Sequence, residues 1–135
     1  MVTMDDRDRF RQGRQLRRAV LGDAHVDRAE SVDTSLNRAL QDLTTRYGWG
    51  EVWSRPGLDR RARSLMTLGM LIALNRGEEL RVHLLGALNN GVSRDEIGEA
   101  ILHSALYCGL PAAHGAAHIA EEVFRALDDR GSAPA

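Results

Sequence analysis

The sequence predicts an all-α fold. Apolar residues recur at helical spacing along most of the chain, capping signals separate those stretches, and no segment shows the strict apolar and polar alternation of a strand. At 135 residues and 43% hydrophobic content, the chain is the size of one ordinary domain with one core. The expected architecture is a single-domain bundle of about six helices spanning residues 1–127. Residues 1–32 form an N-terminal helix and arm, and residues 128–135 a flexible tail.

The elements follow in order. Stretch 5–21 carries Phe10, Leu16, Val20 and Leu21 on one side of an amphipathic helix that stops near Gly22. After a polar segment, Asp33 is placed to cap a helix reaching about Arg46, with Leu36, Leu40 and Leu43 along one side. Gly48, Gly50 and Pro56 then break the periodicity, which predicts a loop or short helical turn over 47–57. It holds Trp49 and Trp53, as walls of a site or as core anchors.

Asp59 next precedes a helix over 60–74. The C-terminal half of that helix is apolar on all sides, so it is expected to be the central buried helix. Asn75 with Glu78 has capping-box spacing and restarts the chain as a helix to Asn89, and Asn90-Gly91 is the stop. Ser93 with Glu96 repeats the signature for a helix over 94–107 ended by Gly109. Pro111 suits the first turn of a last helix to Leu127.

Composition excludes several chemistries. All 18 basic residues are arginine, so no lysine amine is present to form a Schiff base or to hold pyridoxal phosphate. The one cysteine, Cys108, supplies neither a dithiol pair nor a multi-thiolate zinc site, and is expected to be a small buried filler. No apolar run approaches the roughly 20 residues of a membrane span, and the charged start is unlike a signal peptide, so a cytoplasmic protein is expected. Arg7, Arg9, Arg11, Arg14, Arg17 and Arg18 raise the alternative of a nucleic-acid-binding module. Interleaved Asp5, Asp6 and Asp8 and the formal net charge of -1 speak against it.

Arg76, Glu79 and His83 form the strongest chemical constellation. At about 100° per residue they share one helix face, with Glu79 and His83 one turn apart. A helix start offers backbone N–H groups to an anion, imidazole moves protons near neutral pH, and a carboxylate fixes its tautomer. The same spacing also occurs in solvated surface networks, and spacing alone does not separate the two. His114 and His118 are likewise one turn apart, among alanines and glycine, which favours close helix packing with histidines lining a pocket or subunit contact over a metal pair. His103 is expected to be structural.

The segment from Asn75 to His83, with Ala87 to Ile97 and Tyr107 to Ala113, resembles the carboxymuconolactone decarboxylase family. The blocks from Arg17 to Arg28 and from Trp49 to Leu58 extend the resemblance over about residues 10–127. The wider family includes alkylhydroperoxidase D-like proteins with a CxxC pair and a following histidine. Those cysteine positions fall on Arg76 and Glu79 here, so the peroxidase chemistry is lost while His83 remains.

The resemblance implies an alkylhydroperoxidase D-like bundle, assembled as a homotrimer or homohexamer, acting without cofactor or metal in protocatechuate breakdown. The implied substrate is γ-carboxymuconolactone, a dicarboxylate lactone, which loses carbon dioxide to give the β-ketoadipate enol-lactone. The lactone carbonyl is the electron sink, so the protein has only to stabilise a dienolate and deliver one proton to carbon. His83 is the expected proton donor or oxyanion partner and Glu79 its orienting group; Arg76, Arg81 and His118 are candidates for substrate binding. By the same rotation Arg81 lies roughly opposite Glu79, on another wall of the site or toward a neighbouring subunit. A lactone isomerase or hydrolase on the same fold is the nearest alternative.

Overall fold

The computed structural model describes residues 4–131, which form seven α-helices, one π-helix and no strand. They divide into two compact units, one up to Arg60 and one from Arg61 onward.

The first unit contains α1 (Asp6–Leu21), α2 (Asp23–Glu30), α3 (Ser35–Leu43) and the π-helix π1 (Thr44–Trp53). Asp5 caps α1 by accepting from the Asp8 N–H at 2.9 Å. Gly22, at φ 90°, turns the chain directly into α2. Helix α2 stands where the sequence reading expects only a polar segment. Val26 is its one buried residue, so it has no legible periodicity, and ion pairs hold it to α1 instead: Arg18 with Asp23 (3.0 Å) and Asp27 (2.7 Å), and Arg14 with Glu30 (3.2 Å). Thr34 rather than Asp33 caps α3, accepting from the Asn37 N–H at 3.1 Å.

The glycine-bearing stretch expected as a loop is π1, which packs along α1. The glycines serve that contact rather than breaking the helix. A Cβ on Gly13 would lie 2.0 Å from the Thr45 carbonyl oxygen, and one on Gly50 would lie 2.2 Å from the Arg9 carbonyl oxygen, so the two backbones meet where neither carries a side chain. Arg17 is buried beside this crossing and donates to Gln41 Oε1 at 2.8 Å and Thr45 Oγ1 at 3.4 Å. Burial lowers its pKa, and the charge of Glu30 opposes that shift. Trp49 is a core anchor, stacked on the half-buried Trp53 with ring centroids 4.6 Å apart.

The second unit contains α5 (Gly77–Asn89), α6 (Arg94–Cys108), α7 (Leu110–Gly131) and, apart from its first residue, α4 (Arg60–Ala73). Its core joins Leu68 and Ile72 of α4, Leu80, Leu84 and Ala87 of α5, Ile97 of α6, and Ala116, Ala120 and Val123 of α7, with Val92 between α5 and α6. Cys108 packs against this cluster as a small filler.

Three expectations are corrected here. Helix α4 is not buried all round: Met66 and Met70 are exposed, as is Leu74 just past its end, because within one chain only its Ser64, Leu68 and Ile72 face is covered. Asn75 does not cap α5. It sits at φ 57° just past α4, and the bonds from Asn75 N–H to Ile72 O (3.2 Å) and from Arg76 N–H to Leu71 O (2.9 Å) close a Schellman motif, so Asn75 is a stop signal. Residues 128–131 belong to α7 rather than to a tail, with Asp128 held by Arg94 at 2.8 Å; residues 132–135 of that expected tail lie outside the described residues. The capping box of Ser93 and Glu96 and the stop at Gly91 (φ 87°) are present as expected.

Replacing Gly13 with alanine puts a methyl group into the π1 backbone. We expect a loss of about 1–3 kcal/mol or more in urea-unfolding stability, the cost of overpacking a close contact, whereas Gly48→Ala, where the added Cβ meets nothing within 4 Å, serves as the tolerated control.

Candidate active site

Helix α5 carries the sequence-predicted residues, and its start is one position later than the rotation argument assumes. Arg76 is the N-cap, at φ −100° and ψ 78°, and makes no side-chain cap hydrogen bond. Glu78 and Glu79 follow in the first turn, where their carboxylates favour the positive end of the helix dipole. These same charges oppose a bound anion at that helix start. The crevice that Arg76 lines with Gly77, Leu80, Ala116 and Ile119 holds only about 50 Å³, room for water and far below the roughly 300 Å³ at which ligand pockets begin.

Glu79 and His83 lie one turn apart on α5. Glu79 is exposed. His83 is half-buried, at the edge of the buried face made by Leu80, Leu84 and Ala87. An imidazole half in water and half against apolar side chains is suited to exchanging protons with a molecule seated on it.

Arg81 and His118 are brought together on the other side of α5 by a residue that sequence reasoning missed. Glu122 of α7 accepts from Arg81 Nη2 at 2.6 Å, and His118 Nε2 lies 3.0 Å from its other carboxylate oxygen. The signal was present in the sequence as His118 with Glu122 at i, i+4, but the partner on α5 appears only once α5 and α7 pack. The Glu122 carboxyl is held below its ordinary pKa, first by the hydrogen bond from Arg81 and then by the charges of Arg81, His118 and Arg125. The fork of Arg81 is therefore already turned to a carboxylate of its own chain, and His118 is 75% exposed, which leaves its ring in bulk-like water.

His103, expected as structural, is exposed and lines an open groove of about 570 Å³ with Met66, Glu96, Glu99 and Ser104. Its carboxylates disfavour an anionic ligand there. In the first unit, Trp53 lines a separate pocket of about 550 Å³. Among the described residues no group of three or more histidine, cysteine, aspartate or glutamate side chains is placed to hold a metal ion, and no helix is long and apolar enough to cross a membrane.

Comparison with known proteins bears on this arrangement. The model of the carboxymuconolactone decarboxylase family matches residues 38–122. The chain is 50% identical over 131 residues to a 4-carboxymuconolactone decarboxylase of Acinetobacter baylyi, covering 97% of this chain and 96% of that protein. It is 43% identical over 122 residues to a nitrosuccinic acid decarboxylase of Metarhizium robertsii, covering 90% of this chain and 85% of that protein. A 4-carboxymuconolactone decarboxylase sequence from Pseudomonas putida is matched over its whole length, 46% identical over 48 residues, which is 36% of this chain.

The Glu122 contact makes a pH-dependent prediction. Its folded pKa lies below the unfolded value, so the stabilisation is present above the ordinary carboxylate range and is lost as pH falls through the folded pKa. Arg81→Gln should move the Glu122 titration upward, toward that ordinary range. Carboxyl carbon chemical shifts followed from neutral to acid pH read this directly, and an unmoved titration would show that Arg81 is not the cause.

Proposed function

Because the chain belongs to the carboxymuconolactone decarboxylase family, we propose that it removes the ring carboxylate of 4-carboxymuconolactone as carbon dioxide, with His83 supplying the proton. The observation that carries this reading is the 50% identity to a 4-carboxymuconolactone decarboxylase over 97% of the chain. Cleavage of the carbon–carboxylate bond leaves an electron pair that passes through the ring double bond to the lactone carbonyl. The resulting dienolate is neutralised when a proton is added to carbon, giving the enol-lactone.

Each protein group has a bounded task in this scheme. His83, as imidazolium, donates the proton or hydrogen-bonds the dienolate oxygen, and Glu79 one turn away steadies the cationic ring. Tight binding of the departing carboxylate would oppose its loss as a neutral molecule, so the stronger cationic contact belongs on the acetate arm. Arg76 remains a candidate for that contact. Arg81 and His118 serve it only if Glu122 gives them up, which makes a structural tie between α5 and α7 their better-supported role.

The similarity to a nitrosuccinic acid decarboxylase favours a second reading, in which a nitro acid is the substrate. A nitro group, like a lactone carbonyl, accepts an electron pair from the breaking bond, so the same proton donor suffices. Assayed side by side, the lactone should release carbon dioxide faster than nitrosuccinate. The reverse order would replace the first reading with the second.

We also propose assembly as a homotrimer or homohexamer. Met66, Met70 and Leu74 form one exposed apolar stripe at i, i+4 spacing, and Leu102 and Leu106 of α6 another, with Leu106 at 80% exposure. A monomer in water gains nothing from such stripes, whereas a partner that covers them recovers about 25 cal/mol per Å².

Two outcomes test these assignments. His83→Ala should lower carbon dioxide release by a factor of about 10²–10⁴ while the helical circular dichroism stays unchanged; near-normal turnover would remove His83 from the chemistry. Leu106→Glu should reduce the molar mass measured by light scattering from that of an oligomer toward the 14.9 kDa of one chain. If the unsubstituted protein already has that mass, the assembly is wrong.

A further inference from the structure

The first unit buries a charge that no opposite charge meets. Arg17 is 5% exposed, and it donates only to neutral oxygens, Gln41 Oε1 at 2.8 Å and Thr45 Oγ1 at 3.4 Å. Its Nε is buried without a hydrogen-bond partner. Among the described residues no carboxylate is ion-paired with it. Glu30, whose charge opposes the lowering of the Arg17 pKa by burial, bonds to Arg14 at 3.2 Å instead. A guanidinium taken out of water is costly unless an anion faces it, and buried N–H groups are rarely left without an acceptor.

The partners of Arg17 also wall a pocket. Phe10 and Arg14 line it from α1, seven and three positions before Arg17 on one helix face, while Gln41 and Thr45 line it from α3 and π1. Arg17 therefore stands behind the end that Gln41 and Thr45 close. The remaining charges of the lining are answered in place: Arg14 by Glu30, Arg38 by Asp33, and Asp42 by Arg46. Arg17 is the charge left over.

We propose that this pocket binds a small monocarboxylate, which takes the place of the Gln41 amide and meets two N–H groups of the Arg17 guanidinium at once. Its volume of about 360 Å³ suits a small molecule. One negative charge answers the one unmatched cation, and a planar carboxylate fits the guanidinium fork. A second charge on the ligand would face Glu30 and Asp42 in the same lining. Phe10 offers an apolar wall to the body of the ligand. The site lies wholly within the first unit and is independent of the chemistry proposed for α5.

The test titrates isotope-labelled full-length protein with sodium acetate, with its uncharged counterpart acetamide, and with sodium chloride at matched ionic strength. The Arg17 Nε–H resonance, identified by through-bond correlation in the unsubstituted protein, should move saturably with acetate in the millimolar range. It should not move with acetamide, and chloride, which has no second acceptor atom, should act about tenfold more weakly. Gln41→Ala keeps the guanidinium and removes its neutral competitor, so acetate should bind it more tightly. Arg17→Lys keeps the charge without the fork and should weaken acetate binding about tenfold. Acetate should also raise the thermal unfolding midpoint of the unsubstituted protein, because it binds the folded state.

An Arg17 resonance that stays put, one that moves equally with acetamide or chloride, or acetate binding undiminished in Arg17→Lys would overturn the proposal. So would weaker acetate binding in a Gln41→Ala protein of unchanged circular dichroism. If Arg17→Lys does not fold, the Arg17 resonance of the unsubstituted protein still decides. None of these readings uses turnover, so their failure leaves the decarboxylase reading untouched.

Discussion

The second unit depends on how closely α7 approaches α5. Ala116 and Ala120 present almost no side chain to the core that they share with Leu80, Leu84 and Ala87, and at Gly77 an added Cβ would come within 3.2 Å of Ile119. Small residues let two helices pack tightly, and close-packed interiors do not readily yield to a larger side chain. This approach also carries Glu122 to Arg81. A packing constraint thus sets an electrostatic one: which guanidinium is committed within the chain and which faces remain for a ligand.

That division clarifies what the chain must do as a decarboxylase. The substrate supplies its own electron sink, so neither lysine nor a bound cofactor is required by the chemistry. What remains is to hold an anion with its breaking bond oriented and to place one proton. His83, at the edge of a buried face, is the group proposed for the second task. The anion-holding task is poorly served at the α5 start, where Glu78 and Glu79 already answer the helix dipole.

Much of this was legible before any coordinates. The caps at Ser93 and Gly91, the stop at Gly22, the proline in the first turn of α7 and the all-helical class follow from local chemistry, because a cap or a glycine acts within a few residues of itself. The errors share a different cause. Helix α2 has too few apolar residues to show a period and is held by arginines of α1. The π-helix looks like a loop because Gly48 and Gly50 signal a break, whereas Gly50 is a contact with α1. Asn75 has capping-box spacing and instead ends α4 in the left-handed region.

The site divides along the same line. The sequence by itself determined the chemical inventory: no lysine, one cysteine, a histidine one turn from a glutamate at a helix start, and a family likeness pointing to decarboxylation. Only the tertiary structure decided that Arg81 and His118 share Glu122, that Trp49 is core while Trp53 lines a pocket, and that Met66 and Met70 of α4 are left exposed within the chain. The physical reason is range. Capping, rotation along a helix and residue chemistry are properties of neighbours in sequence, whereas ion pairing across helices, burial and pocket walls depend on residues tens of positions apart that meet only when the chain has packed.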